Sequence, residues 1–140
     1  MSTNGGEVRS GPISAVADGG VGEQLGGLTV LIADDDEGLR ETVRYWLSEY
    51  DIDLLEASEG HETIERIDDT VDVLLLDRRM PGLSGPEVVD RLDDTSFDGQ
   101  VLVVSAYEPD RFLNEDDVEG YLTKPIDRDQ ILNELADANR

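Results

Sequence analysis

From Leu28 onward the chain alternates between short apolar runs and segments whose apolar residues recur at helical spacing. The runs are LTVLIA (28–33), IDLLEA (52–57), VDVLLL (71–76), VLVV (101–104) and a short stretch at 119–122. After the first run, Leu39, Val43, Trp46, Leu47 and Tyr50 fall on one face of a helix, with Asp36 placed to cap it. A short helix around 59–67 carries Ile64 and Ile67. SGPEVVDRL opens a third helix, with Ser84 or Gly85 as cap and Pro86 in the first turn, where its missing N–H costs nothing. A weak helix is expected near 109–116, and DRDQILNELADAN closes the chain with Ile131, Leu132 and Leu135 inward.

Five such β/α units predict an α/β domain with a doubly wound parallel sheet and helices on both faces. The runs ending at Ala33, Leu76 and Val104 are apolar on both faces, as central parallel strands are. The run at 52–57 is interrupted by charge and the one at 119–122 is short, so both suit edges. With right-handed crossovers this gives the strand order 2-1-3-4-5, the flavodoxin-like arrangement.

Composition separates residues 1–27 from this pattern. They hold eight of the 14 glycines and almost no large apolar residue, so they read as a flexible leader before a domain at 28–140. There is no cysteine, which excludes disulfides and thiolate chemistry. No run reaches the roughly 18 apolar residues of a membrane span, and no secretory pattern opens the chain, so a cytoplasmic location is expected. The net charge is −23, with 34 acidic residues against 11 basic ones. That surface repels nucleic acid, whose phosphates need clustered Lys and Arg. Abundant Asp and a single lysine, Lys124, resemble the salt-adapted proteins of halophilic archaea.

In open α/β sheets ligands bind beyond the carboxyl ends of the strands, where the winding reverses. The expected topology brings Asp34 and Asp35 there from the first strand and Asp77 from the third. Ser105 follows the fourth strand and Lys124 the fifth. Three carboxylates at one rim repel unless a cation sits among them. Oxygen ligands without His or Cys favour a hard ion, Mg²⁺ or Mn²⁺. A carboxylate beside such an ion is also a nucleophile toward phosphorus. A hydroxyl at Ser105 and a point charge at Lys124 would stabilise the oxygens of a transferred phosphoryl group.

The pieces VLIADDDEGLR, VLLLDRRMPGLSG, VLVVSAYE and GYLTKPI, in this order, resemble the receiver domain of two-component response regulators, most of all those of halophilic archaea. The resemblance implies Asp77 as phosphoacceptor. Asp34, Asp35, Asp77 and the main-chain carbonyl of Arg79 would be metal ligands. Ser105, Lys124 and Tyr121 would form the phosphate-binding and switch group, and the Lys124–Pro125 peptide would be cis. It further implies a sensor histidine kinase or phosphotransfer protein as donor and a downstream output protein or domain as reader. The face of the fourth helix, fifth strand and fifth helix would serve the output, or a dimer. Arg78 and Arg79 depart from the uncharged residues common after the acceptor, and the Ser105–Lys124 segment is shorter than usual.

Two other readings compete. One is a phosphorylation-independent binding module on the same fold, which would not need all of Asp34, Asp35, Asp77, Ser105 and Lys124. The other is a small phosphatase with an aspartyl nucleophile. That chemistry wants an acid two positions after the nucleophile, where Arg79 stands. On the receiver reading the chain is no enzyme beyond promoting its own phosphorylation and dephosphorylation. The lone histidine, His61, reads as a surface residue.

Overall fold

A computed structural model describes residues 25–106 and 118–138. The elements run β1 (Leu28–Ala33), α1 (Glu37–Leu47), β2 (Ile52–Ala57), α2 (Gly60–Arg66), β3 (Val73–Asp77), α3 (Gly85–Leu92), β4 (Gln100–Ser105), β5 (Gly120–Thr123) and α4 (Arg128–Ala138). The five strands form one parallel sheet in the order β2-β1-β3-β4-β5. The expected weak helix at 109–116 and most of the leader lie outside the described residues.

Alternation along the strands divides the core in two, because successive side chains leave opposite faces of a sheet. Leu31, Ala33, Leu74, Leu76, Val101 and Val103 face α2 and α3, where Val88 and Leu92 meet them. Val30, Ile32, Val73, Leu75 and Leu102 face α1 and α4, against Val43, Leu47, Ile131 and Leu135. Each central strand is therefore apolar on both sides, which is why its sequence shows no period of two.

Helix starts are fixed by side chains. Asp36 accepts a hydrogen bond from the Leu39 N–H and caps α1. Ser84 and Glu87 form a reciprocal capping box at α3, with Pro86 in its first turn. At α2 the Glu59 side chain accepts the Glu62 N–H.

Two boundaries differ from the sequence pattern. β3 begins at Val73 rather than Val71 and takes in Asp77. Asp72 precedes it as an anchor: its N–H donates to Thr29 O at 2.8 Å, and its Oδ2 accepts the Thr29 N–H at 2.8 Å. The packed body also starts before Leu28. Leu25 is fully buried in the core under α1 and α4, and Gly27, at φ 81°, turns the chain into β1 while its N–H donates to Asp51 O. A single leucine among glycines leaves no periodic trace, so composition assigns it to the leader.

Candidate functional site

All three acidic candidates meet at the carboxyl rim of the sheet. Asp77 is the last residue of β3, and Asp34 and Asp35 follow β1 directly. One carboxylate oxygen from each lies within 4.8 Å of the others. Asp34 and Asp77 are buried, at 2% and 6% exposure, while Asp35 is open to solvent. Ser105, 1% exposed, ends β4. Of the four buried polar residues among those described, three are at this rim, so the sheet concentrates its polar burial here.

Lys124 enters from the end of β5. Its Nζ donates to Asp34 Oδ2 at 2.9 Å and lies 3.7 Å from Asp77 Oδ1. Its own N–H donates to Ser105 O at 2.6 Å, so the last β4–β5 hydrogen bond sets where the lysine begins. The Lys124–Pro125 peptide is cis. Burial alone would lower the Lys124 pKa, but the hydrogen bond and charge of Asp34, with Asp77 beyond, outweigh it and raise it.

Asp77 is less well compensated. Burial, and then the charge of Asp34, push its carboxyl up to about 6 from 3.8. Lys124 and the Arg79 N–H, 3.4 Å from Asp77 Oδ1, oppose that rise without cancelling it. The chemistry of this set suits a hard cation. It offers three hard oxygen donors, one of them on a solvent-exposed side, and a central carboxylate whose negative form is under-stabilised.

The loop after Asp77 is fastened at both ends. The Gly85 N–H donates to Arg78 O at 2.8 Å, and the Gly60 N–H donates to Pro81 O at 3.3 Å. Arg78 is half-buried and Arg79 exposed. Tyr121 is half-buried on β5 and packs toward the α2–α3 side of the sheet. His61 is exposed at the start of α2, beside Gly82 of the same loop.

One residue escaped the sequence reading. Arg40, in the first turns of α1, donates from Nη1 to the main-chain oxygen of Asp34 at 2.7 Å and from Nε to Glu56 Oε1 at 3.2 Å. The signal available was Glu56 itself, one of two charges in a short strand, which read only as a mark of the sheet edge.

Residues 30–136 match the family model described as response regulator receiver domain. A provisionally named transcriptional regulator of Haloferax volcanii is 41% identical over 102 residues, covering 73% of this chain and 18% of that protein. The nitrate/nitrite response regulator protein NarL of Escherichia coli K12 is 34% identical over 121 residues, covering 79% of this chain and 54% of NarL. The chain thus spans little more than half of these relatives at most. The crystal structure of response regulator protein TrrA from Thermotoga maritima, in complex with Mg²⁺–BeF, superposes with a TM-score of 0.69 at 24% identity, covering 79% of this chain and 98% of that one.

Proposed function

The chain belongs to the response regulator receiver domain family, and from that premise we propose that Asp77 accepts a phosphoryl group and that Asp34, Asp35 and Asp77 hold the divalent cation the transfer requires. Receivers are signalling domains, and the family binds Mg²⁺ at an acidic pocket. The observation that carries the reading is the cluster itself: three carboxylates within 4.8 Å, with the Lys124 ammonium 2.9 Å from one and 3.7 Å from another.

On this reading an Asp77 oxygen attacks the phosphorus of a phosphohistidine on a sensor kinase or phosphotransfer protein. The P–N bond breaks, the imidazole leaves with its electron pair, and an acyl phosphate remains on Asp77. A bound Mg²⁺, or Mn²⁺, would supply positive charge to the phosphoryl oxygens, with the Arg79 carbonyl as a further ligand. Lys124 sits where a phosphate on Asp77 would meet it, and the Ser105 hydroxyl is the second group we assign to that phosphate. Without a cation, burial and the charge of Asp34 push the Asp77 carboxyl up to about 6, so at neutral pH its charge is poorly compensated, which favours taking up a cation beside it.

Tyr121 is the residue we expect to follow Ser105 when phosphate arrives. The two conformations would be read by an output protein or domain through the side bearing β5, a population shift driven by a local charge. Among the described residues no helix is long and apolar enough to cross a membrane.

Incubation with acetyl phosphate and Mg²⁺ in concentrated salt tests the proposal. A hydroxylamine-sensitive acyl phosphate should form on the wild type and be absent from Asp77→Asn and from samples with excess chelator. An adduct that persists in Asp77→Asn sinks the assignment.

A further inference from the structure

Asp34 is held at every polar atom. Its N–H donates to Ala57 O at 3.0 Å, its Oδ1 accepts the Asp36 N–H at 2.9 Å, and its Oδ2 accepts Lys124 Nζ at 2.9 Å. The fourth partner comes from a helix: Arg40 Nη1 donates to the carbonyl oxygen at 2.7 Å. Arg40 is aimed in turn by the edge strand, since its Nε donates to Glu56 Oε1 at 3.2 Å. Arg44, one turn further along α1, closes on the same carboxylate, with Nε 2.9 Å from Oε2 and Nη2 2.9 Å from Oε1.

The Arg40 and Glu56 side chains are only 15% and 27% exposed. A solvated surface pair between them would contribute little. A half-buried guanidinium that divides its donors between a strand carboxylate and the main chain of a candidate ligand constrains geometry instead. The planar fork suits this, since its donors diverge at fixed angles.

We infer that Arg40 is a positioning residue for the cation site: anchored by Glu56, it fixes the main chain at Asp34 so that the Asp34 and Asp35 carboxylates converge on Asp77. The inference rests on the cation-binding reading of the site proposed above. Arg40 touches neither cation nor phosphate on this view and acts only through Asp34.

Charge and position predict opposite outcomes. Removing a cation from beside an acidic site should tighten the binding of another cation if only charge matters. If position matters, binding weakens. Free Mn²⁺ counted by electron paramagnetic resonance, with Mg²⁺ as competitor, reads the affinity without any phosphorylation. Arg40→Gln should weaken Mn²⁺ binding by about 10–100-fold, the usual cost of losing a partner behind a ligand. Arg40→Lys, which keeps the charge and guards against a variant that fails to fold, should fall between Arg40→Gln and wild type. Adding Glu56→Gln to Arg40→Gln should change little, because the Glu56 effect passes through Arg40. Unchanged or tighter binding by Arg40→Gln, or wild-type binding by Arg40→Lys, overturns the inference while leaving the site reading intact. A wild-type protein that binds no Mn²⁺ or Mg²⁺ overturns the site reading, and this inference with it.

Discussion

Lys124 Nζ is hydrogen-bonded to Asp34 Oδ2 at 2.9 Å and stands 3.7 Å from Asp77 Oδ1, so in this state the lysine belongs first to Asp34. It is the single lysine of a chain whose other ten basic residues are arginine. A compact ammonium on a flexible stem can move between two acceptors a few ångströms apart, whereas a guanidinium is a rigid planar fork. Lys124→Arg should therefore fold and accept phosphate but fail to transmit it. Amide NMR shifts of Ser105 and Tyr121 with and without acetyl phosphate are the measurement. Wild-type shift changes in the variant would make the lysine replaceable.

Asp77 gives the fold a distinctive pH dependence in metal-free buffer. Its folded pKa of about 6 lies above the ordinary 3.8, so the folded state binds this proton more tightly than the unfolded state. Below the unfolded value both states are protonated and the group contributes nothing. As pH rises from about 4 to about 6 the unfolded state ionises first, and stability falls; above that it levels. Asp77→Asn should remove this slope and gain up to about 3 kcal/mol at pH 7. Denaturant melts at several pH values would reveal it, and parallel pH profiles for the two proteins would exclude it.

Much of this architecture was legible because the relevant signals are local. The Asp36 cap, a cap at Ser84 or Gly85 and the doubly apolar β1, β3 and β4 each follow from neighbouring residues. The carboxylate cluster needed only the sheet order, which strand composition supplied. Arg40 needed more: its role exists only because α1 lies over β2, placing residue 40 beside residue 56. Leu25 was hidden for the opposite reason, being one buried side chain in a glycine-rich context. The preference of Lys124 for Asp34 over Asp77 is a difference of under an ångström that no spacing encodes.

Gly85 tests how tightly the loop after Asp77 is held. A Cβ there would lie 2.8 Å from Arg78 Cα and 3.0 Å from Asp77 O, both main-chain atoms. Alanine favours a helix over glycine by about 1 kcal/mol, but overpacking against backbone costs about 1–3 kcal/mol. Gly85→Ala should thus be neutral to destabilising despite opening a helix, and displacing the Asp77 carbonyl should weaken Mn²⁺ binding. A higher melting temperature with unchanged Mn²⁺ affinity would mean the loop yields freely.

Salt should separate the surface from the site. A net charge of −23 on 140 residues repels itself across the surface, and the screening length falls from about 10 Å at 0.1 M to about 3 Å at 1 M salt. The melting temperature should climb steeply between these concentrations. The Lys124–Asp34 pair is different, because the side chains are only 24% and 3% exposed and a partly buried pair is screened much less than surface charges. Lys124→Met leaves that carboxylate without its charged donor and should cost about 2 kcal/mol. The cost should be nearly the same at both salt concentrations even as both proteins gain stability. A penalty that vanishes at 1 M salt would place the pair in solvent-like surroundings and undo the electrostatic account of the site.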